Sequence, residues 1–226
     1  MSDDNTIAPE IEPAGPPSQG EFAARLASRL CHDFISPASA IISGLDLLEE
    51  PDTNGLHAEA LSLIANSAKK LVAMLTFARA AYGGSSAAES FDSVQLQALT
   101  QGIFDGVRPD LDWSVHPQML EKAAGRVILH LAELGAGALP MGGTAKVMTK
   151  TENGWTAVMV ESRGPRLRLD AQVAGGLRGE PPPPGPAGKW LQAYYVHNQV
   201  KEAGGVVASE QTDEKISFTV ALPTTI

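Results

Sequence analysis

Residues 28–37 read Ser28-Arg29-Leu30-Cys31-His32-Asp33-Phe34-Ile35-Ser36-Pro37, and the phase of this stretch decides the fold. At about 100° per residue, Ala23, Leu26, Ala27, Leu30, Phe34, Ile41, Leu45 and Leu48 fall on one stripe. That stripe is wide enough to be the core face of an amphipathic helix. His32 projects roughly 180° from its centre, with Arg25, Ser28, Arg29, Ser36, Ser39 and Ser43 on its side. The sequence therefore turns His32 to water. Pro37 stands inside the helical pattern, where it removes an amide donor and crowds the carbonyl of Asp33 at a cost of about 3 kcal/mol. Such a residue usually marks a bend with a use.

Working outward, the helix covers 21–50, and Pro51-Asp52-Thr53-Asn54-Gly55 turns the chain. Leu61, Ile64, Ala68, Leu71, Leu75 and Ala78 then recur at threes and fours in a second helix over 56–82. Gly83-Gly84 stops it. Two such helices make an antiparallel hairpin, but they cannot enclose both stripes. Doubling the hairpin into a four-helix bundle closes the core, so a homodimer is expected. Residues 1–19, rich in Pro, Asp, Glu and small side chains, read as a disordered tail. The hairpin occupies 20–84, and a second domain occupies 85–226.

In that second domain a helix is expected from Val94 to Gly106, a short strand around Asp112–Val115 and a helix from Lys122 to Leu139. Two β-branched runs, 145–151 and 155–161, flank Asn153-Gly154, a hairpin signal. The stretch 175–188 contains Pro181-Pro182-Pro183-Pro184 and reads as irregular. A helix over 190–203 and strands at 206–209 and 216–222 complete an α/β sandwich. The fold class is therefore α+β: a helical hairpin that doubles into a bundle, followed by helices on a mixed sheet.

Composition narrows the function. Seventeen Lys and Arg against 26 Asp and Glu give a net charge of −9, a field that disfavours nucleic acid and anionic membrane as partners. No apolar run approaches the roughly 20 residues of a bilayer span, and the N-terminus lacks the pattern of a secretory signal. With one cysteine, Cys31, no internal disulfide or multi-thiolate metal site is available, and a small core residue is its expected role. His57, His116, His130 and His197 share no ligand spacing. A cytoplasmic protein without a metal or cofactor of its own is expected.

Residues 28–48 resemble the phosphoacceptor helix of two-component histidine kinases. The motif there is His, an acidic residue, an apolar one, a variable one, Thr/Asn/Ser and Pro, matched by His32-Asp33-Phe34-Ile35-Ser36-Pro37. Ala40-Ile41-Ile42-Ser43-Gly44 and Leu47-Leu48-Glu49 continue the likeness. The second domain resembles the ATP-binding domain of the same kinases, with the nucleotide residues changed. Leu134 stands for the Asn that holds Mg²⁺, which demands oxygen ligands. Ser162-Arg163-Gly164-Pro165-Arg166 stands for the Asp-x-Gly-x-Gly that reads adenine. Trp190 and Gln192 stand for the glycines whose bare amides approach phosphate. Residues 21–226 as a whole are similar to the histidine phosphotransferases of an alphaproteobacterial cell-cycle phosphorelay.

That resemblance implies a protein that binds no ATP and carries a phosphoryl group on His32. The donor would be the receiver domain of a CckA-like hybrid kinase, and the acceptors CtrA-like and CpdR-like response regulators, each receiver supplying its own Mg²⁺. It also implies Nε2 as the attacking nitrogen. A neutral imidazole is a nucleophile near neutral pH, and Asp33 is placed to accept a hydrogen bond from the other ring nitrogen, which keeps its proton, and to stabilise the charged ring. An i, i−4 ion pair from Asp33 to Arg29 is the structural alternative. Arg29, Ile35, Ser36, Ser39 and Ile42 are the expected receiver-binding residues, an apolar patch with a polar rim; packing of Ile35 and Ile42 on a second hairpin is the alternative. Two rival functions stay open: an ATP-dependent kinase core with divergent boxes, and a module that binds receivers without accepting phosphate.

Overall fold

Ser18 starts the first helix by a capping box: its hydroxyl accepts from the Glu21 amide, and the Glu21 carboxylate accepts from the Ser18 amide. The computed structural model describes residues 15–51, 55–83, 90–185 and 187–224. Most of the expected disordered tail, the middle of the 51–55 turn and most of the 83–90 linker lie outside the described residues. α1 runs unbroken from Gln19 to Glu49 through Pro37, and α2 runs from His57 to Tyr82.

The two helices meet along a line slightly rotated from the expected stripes. The fully buried positions are Pro37 and Gly44 on α1 and Ala60, Ser67, Phe77 and Ala81 on α2. Ala23, Ala27, Leu45, Leu61 and Leu75, expected in a core that a second hairpin would close, are exposed in this single chain. Small residues hold the line because they let the backbones approach. A Cβ on Gly44 would lie 2.6 Å from Ile64 Cγ1 and 3.2 Å from the Ala60 carbonyl. Gly44→Val is thus expected to cost about 2–3 kcal/mol by overpacking, read as a lower urea midpoint with an unchanged slope. An unchanged midpoint would show that α1 and α2 can part there freely.

α2 is long and apolar enough to cross a membrane by length and composition alone, unlike the sequence reading of its separate apolar runs. Lys69 and Lys70 lie at its middle, and its apolar positions serve α1, α3 and an open flank.

In the second domain, α3 (Ser93–Phe104), α4 (Lys122–Gly137), α5 (Ala171–Leu177) and α6 (Gly188–Glu202) accompany a five-stranded sheet. Its strands are β2 (Asp110–Ser114), β4 (Thr144–Glu152), β5 (Trp155–Arg163), β6 (Val206–Gln211) and β7 (Ile216–Pro223), in the order β2-β4-β5-β7-β6. Only β2 and β4 run parallel, so the sheet is mixed. Asn153 and Gly154 make the expected tight hairpin, both at positive φ (53° and 75°). The core lies between the sheet and α4, where Ile128, Leu129 and Leu131 meet Val147, Val158 and Val160.

Two features depart from the sequence reading. A second small sheet pairs β1 (Ser90–Asp92) with β3 (Met119–Glu121). Residues 175–177, expected to be irregular, end α5. Its glycines serve close packing rather than chain breaking: a Cβ on Gly176 would lie 2.7 Å from the Trp190 carbonyl. Asp170 caps this helix by accepting from the Gln172 amide.

Candidate functional site

α1 presents His32 with its side chain 90% exposed. Its Nδ1 lies 3.6 Å from Asp33 Oδ1, which leaves Nε2 as the ring nitrogen turned away from the carboxylate. Ile35, Ser36, Ser39 and Ile42 are exposed along the same helix toward its C-terminal end, Ile35 at 62% and Ile42 at 58%. Cys31, expected inside, is exposed as well. The helix phase that turned His32 to solvent is the one observed.

Arg29 is placed differently from the expectation. Its side chain is only 19% exposed, because it leans toward the second domain instead of standing free beside His32. Nη1 donates to the Gly188 carbonyl at 3.0 Å and Nη2 to Gln192 Oε1 at 3.0 Å. Glu133 Oε1 lies 3.5 Å from Nη2, and Asp33 Oδ2 lies 3.5 Å from Nε. Gln192 Nε2 in turn donates to Glu133 Oε2 at 2.6 Å. The ion pair of Asp33 with Arg29 therefore coexists with the Asp33–His32 contact, one oxygen serving each. Burial raises the Glu133 carboxyl above the usual carboxylate range, and the Arg29 charge partly offsets this.

Sequence reasoning missed the second wall of the site. An open cleft of about 810 Å³ runs beside His32, lined by Arg25 and Ser28 on α1 and by Gly185 and Ala187–Leu191 of the second domain. Periodicity on α1 gives the direction of a side chain and says nothing of what stands opposite it.

At the stretches that the sequence resemblance sets against the nucleotide boxes, the side chains either engage protein groups or line a cleft. Ser162 is fully buried and donates its hydroxyl to the Gly135 carbonyl at 2.9 Å, so its one proton is spent on the backbone of α4. Trp190 is buried, stacks on Tyr194 at 4.5 Å and donates Nε1 to the Glu180 carbonyl at 2.9 Å. Gln192 bridges Glu133 and Arg29. Leu134 lines a smaller cleft, about 310 Å³, together with Arg29, Glu133 and Gln192. Gly142 and Gly143 make a turn at positive φ (88° and 128°); a Cβ on Gly143 would sit 2.3 Å from the Arg163 carbonyl.

If Asp33 holds the Nδ1 proton, Asp33→Asn should slow phosphoryl transfer by about 10²-fold, the usual scale for an acid–base partner, with receiver affinity little changed. Single-turnover rates against a phosphorylated receiver measure this. An unchanged rate would reduce Asp33 to a partner of Arg29.

Residues 94–215 match the family model of the histidine phosphotransferase C-terminal domain. Protein phosphotransferase ChpT of Brucella abortus (strain 2308) is 32% identical over 199 residues, covering 88% of this chain and 94% of that one. A solved bacterial phosphotransferase structure superposes with a TM-score of 0.81 at 30% identity, over 92% of this chain and all of the other. Histidine kinase AdeS of Acinetobacter baumannii also matches, at 14% identity and a TM-score of 0.47, over 86% of this chain and 98% of that one.

Proposed function

The chain belongs to the histidine phosphotransferase family, and from that premise we propose that His32 carries the phosphoryl group between the aspartates of two receiver domains. The observation that supports this reading is a side chain 90% exposed whose Nδ1 is backed by a carboxylate. The Nε2 lone pair attacks the phosphorus of a receiver's acyl phosphate. An N–P bond forms, the P–O bond to the aspartate breaks, and the aspartate leaves as a carboxylate. The Nδ1 proton stays on the ring, and Asp33 stabilises the positive charge that develops there. The return step reverses these bonds on a second receiver. Mg²⁺, which neutralises charge on the moving phosphoryl group, comes in this reading with the receiver.

Ile35, Ser36, Ser39 and Ile42 form the face that meets the receiver. Leu45, Leu61, Val72 and Leu75, 45–63% exposed in the single chain, face a second copy, so the working form is a homodimer with a four-helix bundle. The donor is the receiver of a hybrid histidine kinase and the acceptors are response regulators. Partners of that class put the chain at work in the cytoplasm.

The second domain, in this reading, has no use for nucleotide. Ser162, Trp190 and Gln192 are already engaged with protein groups. Mg-ATP should therefore leave the melting temperature unchanged, since a bound ligand raises it by mass action. Radiolabelled ATP alone should leave no label, and a phosphorylated receiver should label the chain. Label from ATP alone would make it a kinase core, and no label from any phosphorylated receiver would make it a binding module.

A further inference from the structure

A solvent-exposed histidine needs no second domain for the chemistry above, yet the chain keeps one closed against the histidine helix. The junction is organised around Arg29. Three groups of the second domain hold one guanidinium: the Gly188 carbonyl, Gln192 Oε1 and Glu133 Oε1, at 3.0, 3.0 and 3.5 Å. They lie on α4 and α6: Glu133 and Gln192 line the smaller cleft with Leu134, and Gly188 lines the cleft beside His32. The remaining nitrogen of the same side chain, Nε, orients the carboxylate of Asp33. An arginine is suited to this because its planar fork can engage several acceptors at once.

We infer that Arg29 is a positioning residue: it clasps the second domain to α1 through Gly188, Gln192 and Glu133, and so presets the 188–191 turn of α6 as a second wall of the receiver-docking cleft. The inference rests on the reading of His32 as the phosphoacceptor. The occupant is a receiver domain, for two reasons. The cleft is continuous with His32 itself. Its rim also carries Arg25 and Lys189, cationic groups in a chain of net charge −9, whereas a receiver's phosphorylation site gathers carboxylates around its phosphoaspartate. Complementary charge of this kind steers and registers a transient complex. Lys189 is itself fixed, with Nζ 2.9 Å from Asp170 Oδ2.

The test uses the full chain with Cys31 replaced by serine and nitroxide labels at Ser43 on α1 and Lys201 on α6. Arg29→Ala should broaden the distance distribution between the labels and raise the receiver Kd about tenfold, the equivalent of one charged hydrogen bond. Arg29→Lys, which keeps the charge but not the fork, should recover part of both effects. Gln192→Leu should act in the same direction, which covers the case of an Arg29→Ala chain that fails to fold. Lys189→Ala should weaken receiver binding without broadening the distances. A distribution unmoved by Arg29→Ala overturns the clasp. A broadened one with unchanged receiver affinity and transfer rate overturns the wall. A wild-type chain that accepts no phosphoryl group overturns the reading of His32 and the receiver wall with it, while the distances still decide the clasp on their own.

Discussion

Replacing His32 with alanine is expected to abolish phosphoryl acceptance while leaving the fold and receiver binding in place. The two halves of that result have separate causes. Transfer is lost because, among the described residues, no other side chain at the cleft offers a free nucleophilic nitrogen: Asp33 has only carboxylate oxygens, Arg29 is held in the domain junction, and Lys189 Nζ is paired with Asp170. Stability survives because the imidazole is 90% exposed and takes no packing contact away with it; surface changes of this kind stay within about 0.5 kcal/mol. Transfer assays on the variant, with melting and receiver titration as controls, measure all three. A variant that still accepts phosphoryl groups would move the chemistry to another residue.

The second large effect concerns acid. His130 is fully buried between the rings of Tyr82 and Tyr195, with centroids 4.7 and 5.0 Å away. Its Nε2 donates to the Ala81 carbonyl at 3.3 Å, and its Nδ1 has no hydrogen-bond partner among the described residues. Burial pushes its pKa down to about 3 from an ordinary 6.5. The hydrogen bond to Ala81 pulls the other way, and the charges of Arg29 and Arg126 add to the fall. A depressed folded pKa means that the unfolded chain takes up the proton first. The neutral ring therefore contributes its full stability above about pH 7 and loses it as pH falls from 6.5 toward 3. The slope approaches ~1.4 kcal/mol per pH unit, for a total of ~5 kcal/mol. Glu133, with its raised carboxyl, acts in the opposite direction, so a comparison is needed to isolate His130. Urea midpoints at pH 7, 5.5 and 4 should fall less steeply in His130→Phe, which keeps an aromatic ring in the cluster. Equal slopes in the two chains would remove His130 as the cause.

Local signals carried much of the fold. The Asn153-Gly154 hairpin, the end of α2 before Gly83 and the phase of His32 each depend on a few neighbouring residues, and each was readable from them. What escaped was settled by contacts distant in sequence. β1 and β3 are three residues long, too short to show alternation, and they pair Ser90 with Glu121. Gly175 and Gly176 looked like breakers, but they are helical because α6 passes too close for side chains. On the hairpin, the positions buried within one chain include Pro37, Gly44 and Ser67, which hydrophobicity does not count and which lie beside the apolar stripes rather than on them. Arg29 shows the limit best. Helical phase placed it on the side of His32, and two of its acceptors in the second domain, Gly188 and Gln192, lie 159 and 163 residues away.

The central claim concerns one residue, and mapping the phosphate tests it most directly. The full chain is incubated with a phosphorylated receiver, digested under alkaline conditions that preserve an N–P bond, and sequenced by tandem mass spectrometry. The account predicts a single phosphorylated site, at His32, in label that is stable to base and lost in acid. Phosphate on any other residue, or label that base removes as it removes an acyl phosphate, would contradict it.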